Sequence, residues 1–118
     1  METELLLNTQ SCRRALDSIS DSLYVIGGKW KLPVIVALRE GYTRFNDIQR
    51  AIEGISAKVL SSELKELELN GFVKRTVHAQ TPVVVEYQLT EYADTLKDVL
   101  TSLAEWGTMH RDKLKNER

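Results

Sequence analysis

A mainly α-helical domain carrying one small β-hairpin, an α+β arrangement, is the fold class that the sequence predicts. Three observations predict it. Apolar residues recur at spacings of three and four along most of the chain, which is the mark of amphipathic helices. The period drops to two between Phe72 and Leu89, where β-branched residues gather. Two short helical segments, 44–53 and 57–70, are separated only by a tight turn containing Gly54. With 118 residues, one domain spanning 1–118 is the expectation.

The elements follow in order. Residues 12–26 form a first helix, with Ala15, Leu16, Ile19, Leu23 and Ile26 at helical spacing. Gly27-Gly28 breaks it. Trp30 to Leu38 reads as a buried helix, stopped by Gly41. Pro33 lacks a backbone donor and clashes one turn back, so this helix must start late or kink there. Arg44 to Glu53 is a short amphipathic helix with Phe45, Ile48, Ala51 and Ile52 inward. Ser56 is placed as the N-cap of the next helix, its hydroxyl satisfying an orphan amide. Ile55 and Leu60 flank that cap as a hydrophobic staple. Asn70-Gly71 closes the helix. Phe72 to His78 and Val83 to Leu89 are strands joined by the turn Ala79–Pro82. Thr90 caps a last helix, 91–112, along which Tyr92, Leu96, Val99, Leu103, Trp106 and His110 recur. Lys113 to Arg118 is nearly all polar and is expected to fray. Two short helices joined by a glycine turn (44–71) and followed by a hairpin (72–89) match a winged helix-turn-helix.

The helix from Ala57 carries a face suited to duplex DNA. At about 100° per residue, Leu60, Leu64 and Leu67 fall on one side and Ala57, Lys58, Ser61, Ser62 and Lys65 on the other. Small residues permit close approach to the groove floor. Hydroxyls and lysines can reach base edges or phosphates. Glu63 and Glu66 point away from that face. Arg44 at the start of the preceding helix, Lys74 and Arg75 on the first strand, and His78 near its end extend it into one modest positive surface. Gln80, Thr81 and Pro82 at the hairpin tip offer neutral contacts only, so the wing is expected to touch backbone rather than insert an arginine into the minor groove.

Composition excludes several classes. The formal net charge is -1, so any nucleic-acid surface must be local. One cysteine, Cys12, rules out an intramolecular disulfide and an all-cysteine metal site, and a lone thiol fits a reducing, cytoplasmic setting. The apolar run Leu5–Leu7 is too short for a secretory leader, and no stretch has the length of a membrane span. There is no glycine-rich phosphate loop, nucleophile elbow or zinc motif. His78 and His110 stand apart from any ligand cluster. No enzyme, metal or cofactor is expected.

Several separated motifs resemble the HxlR-type winged-helix transcriptional regulators, which are MarR-like. They are Gly27-Gly28-Lys29-Trp30, Arg44-Phe45-Asn46, Ile55-Ser56, Leu60 to Leu67 with Gly71, Pro82, Val85-Glu86-Tyr87 and Leu89-Thr90-Glu91, with Cys12 and Trp106 outside them. The resemblance covers roughly residues 12–107. It departs at Arg13, Val84 and Ala93, where the family favours a proline, a basic residue and a glycine. The resemblance implies a homodimer built on the helices 12–26 and 91–112, with the helix from Ala57 in the major groove and the hairpin as the wing. Arg44, Asn46 and Ser56 would then join the DNA contacts, with Gln80 at the wing. Leu16, Leu96, Val99, Leu100, Leu103 and Trp106 would form the dimer interface, since that apolar stripe exceeds what one small core needs. Regulators of this type act mainly as repressors on pseudo-palindromic operators. They often answer to an electrophile, an oxidant or a small molecule.

Two residues invite sharper readings. Cys12 has Arg13 and Arg14 as neighbours, which favour a thiolate, and is a redox-sensing candidate; the plainer reading is a thiol packed at the dimer interface. Trp30 is either a core anchor or one wall of a ligand pocket. A winged-helix module used for protein contact, without DNA binding, is the competing function, favoured by the near-neutral charge and the neutral wing tip.

Overall fold

The computed structural model describes residues 9–117. The Leu5–Leu7 run and the reading of the N-terminus lie outside that range, as does Arg118. Among the described residues, five α-helices and one antiparallel hairpin follow in the order α1 (Thr9–Ile26), α2 (Lys31–Arg39), α3 (Phe45–Ala51), α4 (Ala57–Leu69), β1 (Val73–His78), β2 (Val84–Leu89), a 3-10 helix (Glu91–Leu96) and α5 (Lys97–Asn116). No helix among the described residues is long and apolar enough to cross a membrane. The mostly helical chain with its two-stranded sheet is a winged helix-turn-helix.

The core sits in the middle of the chain. Val34, Ile35, Ala37 and Leu38 of α2 meet Ile48 of α3, Leu60, Leu64 and Leu67 of α4, Phe72 and Val73 at the hairpin entry, and Ala93. The late start required by Pro33 is what occurs. Trp30 is the N-cap of α2, so Pro33 falls in the first turn, where no amide needs an intrahelical acceptor. Ser56 caps α4 as expected: its hydroxyl accepts from the Val59 amide at 3.1 Å. The other end is a Schellman closure. Gly71 takes φ +84°, Phe72 N–H donates to Leu67 O at 2.9 Å, and Gly71 N–H donates to Glu68 O at 3.0 Å. Phe72 thereby turns into the core as the chain enters β1.

Five expectations are corrected. Ala51 is exposed rather than inward, because α3 ends there and Ile52 leaves the helix with extended dihedrals, taking the buried place itself. Among the described residues, α1 already includes Thr9, three residues before the expected start at Cys12. Residues 91–112 are not one α-helix. Glu91–Leu96 is a 3-10 helix in which Ala93 is buried and Leu96 packs on the core, a three-residue repeat that suits its pitch. The Thr90 hydroxyl does not cap it but donates to Gly71 O, tying the end of β2 to the end of α4. Finally, α5 runs to Asn116 and does not stop at residue 112, and Lys113 pairs with Glu117 at 3.0 Å.

The two terminal helices stand apart from this core. Only Ile26 of α1 is buried, and no residue of α5 is. The radius of gyration is 17.7 Å, against about 13 Å for a compact domain of this size. The molecule measures 59 × 38 × 22 Å.

Candidate nucleic-acid interface

Helix α4 separates its two sides cleanly. Leu60, Leu64 and Leu67 are buried to within 1%, while Ala57, Lys58, Ser61, Ser62 and Lys65 are all exposed. A polar stripe of short and basic side chains thus lies on the face opposite the core, anchored by three leucines from below. Ser56, also exposed, spends its hydroxyl on the cap.

The back of α4 is held by charge as well as by leucine. Lys31, at the start of α2, is buried and lies 3.0 Å from Glu63 and 2.5 Å from Glu66. Glu63 and Glu66 thus pair across to α2 and not within their own helix. The hydrogen bond to Glu66 raises the Lys31 pKa above its ordinary value; burial opposes it, and the hydrogen bond and charge of Glu63 add to it. Lys31 is therefore charged at neutral pH, and it occupies acids that would otherwise add negative potential beside the exposed stripe. The sequence signal for it was the three-residue spacing of Glu63 and Glu66, which puts two carboxylates side by side and calls for a cation from another element.

The wing is fastened to the start of the helix-turn-helix. The Tyr87 amide donates to Thr43 O at 2.8 Å. The Thr43 hydroxyl donates to Glu86 Oε2 at 3.0 Å, and Glu86 Oε1 lies 2.8 Å from His78 Nε2. Thr43 was not singled out from sequence, and Glu86 entered only as part of the Val85-Glu86-Tyr87 motif. Their role depends on a separation of 43 residues, which no local spacing reveals. Arg44, exposed at the N-cap of α3, follows Thr43 directly, so this link brings Arg44 and Asn46 beside the hairpin.

The strand register corrects one assumption. Lys74 pairs with Gln88, Arg75 with Tyr87, Thr76 with Glu86 and His78 with Val84. Successive side chains alternate between faces. Lys74 and His78 therefore share a face with Glu86, and Arg75 points to the other, beside Tyr87. The single positive surface expected from Lys74, Arg75 and His78 together does not form, and His78 has a carboxylate as its neighbour. Gln80 is exposed in the turn that contains the cis Thr81–Pro82 peptide.

The dimer-helix candidates divide likewise. Leu16 on α1 and Val99, Leu103 and Trp106 on α5 are exposed. Leu100 is half-buried, and Leu96 packs against the protomer's own core. The Trp106 ring stacks on His110 at 5.0 Å. Cys12 is half-buried on α1. Among the described residues no group of three or more His, Cys, Asp or Glu is placed to hold a metal ion.

A helix-turn-helix whose second helix exposes a serine- and lysine-bearing face, followed by a hairpin wing, defines a class of transcriptional regulator. The HxlR-like helix-turn-helix family pattern matches residues 25–115, and the chain belongs to that family. It is 47% identical over 92 residues to an HTH-type transcriptional regulator of Halalkalibacterium halodurans, covering 77% of this chain and 81% of the relative. Among solved structures it is similar to a MarR-family transcriptional regulator from Enterococcus faecalis V583, with TM-score 0.75 and 39% identity over 83% of this chain and 89% of that one. It is also similar to the redox regulator HypR in its reduced form, with TM-score 0.74 and 39% identity over 84% and 98%.

Proposed function

We propose that this HxlR-type regulator binds a pseudo-palindromic duplex as a homodimer and represses transcription, with Lys58, Ser61, Ser62 and Lys65 of α4 in the major groove. The observation that carries the reading is the division of α4 into three fully buried leucines and an uninterrupted exposed stripe of small, hydroxyl and lysine side chains. Arg44, Asn46, Lys74 and Gln80 contribute backbone contacts. Arg75 and His78 contribute less, the first because it faces Tyr87, the second because Glu86 holds it. Residues 44–71 are then the reading unit, 72–89 the wing, and α1 with α5 the dimer interface. Two recognition helices related by a twofold axis engage half-sites about one helical turn apart.

Selection of bound sequences from random duplexes tests the reading. One pseudo-palindrome should be enriched, and Lys58→Ala and Lys65→Ala should each weaken its binding by about 1–3 kcal/mol if they touch base edges. Affinity should fall steeply as salt rises. A folded protein that enriches no duplex would instead be a protein-contact module.

The likeness to HypR, a redox regulator, supports Cys12 as an oxidant sensor. Its place on α1, within the proposed interface, lets a change at the thiol bear on the dimer. Diamide should release operator DNA from the wild type and not from Cys12→Ser; release from both would remove Cys12 from the mechanism.

A further inference from the structure

Away from the exposed stripe of α4, a pocket of about 480 Å³ opens between α2 and the turn that leads into α4. Pro33, Val36 and Ala37 of α2 form one side, and Ile52 with Gly54 the other. The Trp30 indole lies between them. Gly54 has φ +85° and lets the backbone approach the ring: a Cβ there would lie 3.9 Å from Trp30 Cη2. The site lies at the far end of α3 from Arg44 and Asn46, and its Gly54 wall precedes the Ser56 cap of α4 by two residues.

Its charges are unequal. Glu40 and Glu53 line the pocket, and among the described residues neither carboxylate has an ion-pair partner, whereas Glu63, Glu66, Glu86 and Glu117 each have one. The one basic lining residue, Lys29, lays its ammonium over the Trp30 ring at 4.8 Å from the centroid. The electron-rich ring face is thus already satisfied by a cation, and by a tethered one on an exposed side chain that can swing into solvent. An aromatic face, apolar walls and two unpaired carboxylates are the elements that recognise a cation with an apolar body. An anion would gain Lys29 but would meet both glutamates.

We propose that this pocket binds an organic cation, a quaternary ammonium or protonated amine carried on an apolar group, which displaces the Lys29 ammonium from the Trp30 face. It supplies an effector site for the regulator argued above. Its test uses free protein, so a failure to bind duplex and a failure here are told apart.

Benzyltrimethylammonium serves as the probe, with benzyl alcohol and benzenesulfonate as neutral and anionic counterparts at constant ionic strength. The two tryptophans give two indole N–H resonances, and Trp30→Phe assigns them. The cation should shift the Trp30 resonance saturably and leave Trp106 in place, while the counterparts should not. Lys29→Ala should tighten the cation by about two- to fivefold, because the resident ammonium no longer competes. Glu40→Gln and Glu53→Gln should each weaken it by a similar factor at most, as expected of exposed charges. A wild-type far-UV circular dichroism spectrum and a cooperative urea transition report that each variant is folded. An equal response to benzyl alcohol, a stronger one to benzenesulfonate, no saturable shift at Trp30, or weaker binding by Lys29→Ala would each overturn the proposal.

Discussion

The stretch from α2 to β2 and the two helices that flank it obey different rules. In the middle, three helices and the hairpin bury a continuous cluster around Ile35, Ile48, Leu60, Leu64 and Leu67. At the ends, α1 and α5 carry as regular an apolar periodicity and bury almost none of it: Leu16 is 59% exposed, Leu103 50% and Trp106 60%. The same residue types at the same spacing therefore mean a core in one region and a surface awaiting a partner in the other. Contiguous exposed apolar stripes of this kind mark interfaces. The middle holds the core, and the homodimer proposed above would cover the ends with a second copy.

The sharpest way to break that contrast is one large-to-small substitution in each region. Leu64→Ala should cost about 2–5 kcal/mol, the range for emptying a fully packed leucine site, read as a lower urea midpoint. A domain of this size has a margin of only about 5–15 kcal/mol, so much of it is lost. Leu103→Ala, at half exposure, should leave the protomer's own unfolding nearly unchanged. A cost at Leu103 matching that at Leu64 at a concentration where the chain is monomeric would mean that α5 belongs to the core after all.

A smaller effect on the fold, and a larger one on assembly, is expected from Leu103→Glu. A carboxylate in the middle of the α5 stripe has no partner if that stripe is covered. Sedimentation at micromolar concentration should show a dimer for the wild type and a monomer for the variant, with helical circular dichroism retained. A monomeric wild type would remove the explanation offered for the exposed stripe.

The same contrast explains what could be read in advance. The helices of the middle region were legible because each has a local stop or start signal: Pro33 in a first turn, Ser56 at a cap, Asn70-Gly71 at a closure. Leu60, Leu64 and Leu67 could be assigned to the core, and the lysine and serine stripe to the surface, from one wheel of α4. The 3-10 helix was not legible, because Tyr92, Leu96 and Val99 keep helical spacing through it, and the tightening comes from tertiary burial of Ala93. Nor was the split between Lys74 and Arg75 weighed, although strand alternation alone implies it. The Thr43–Glu86–His78 chain and the Lys31–Glu63–Glu66 cluster join elements far apart in sequence, where side-chain partners are set by packing and not by local pattern.

Ser56 offers the finest test, because structure and proposed recognition meet at one side chain. Its hydroxyl accepts from the Val59 amide and so fixes the first turn of α4. Ser56→Ala should cost about 1 kcal/mol of stability, the usual loss of an N-cap. Ser56→Asp should keep the cap, since a carboxylate accepts the same amide and suits the positive end of the helix dipole. If α4 meets DNA at its N-terminal end, that carboxylate also stands near phosphate and should weaken duplex binding while thermal stability stays close to wild type. The alanine variant should show the reverse order, with lost stability exceeding lost affinity. Equal affinity for Ser56→Asp and wild type would move the N-terminal turn of α4 away from the duplex and leave the region of Ser61, Ser62 and Lys65 as the part that reads it.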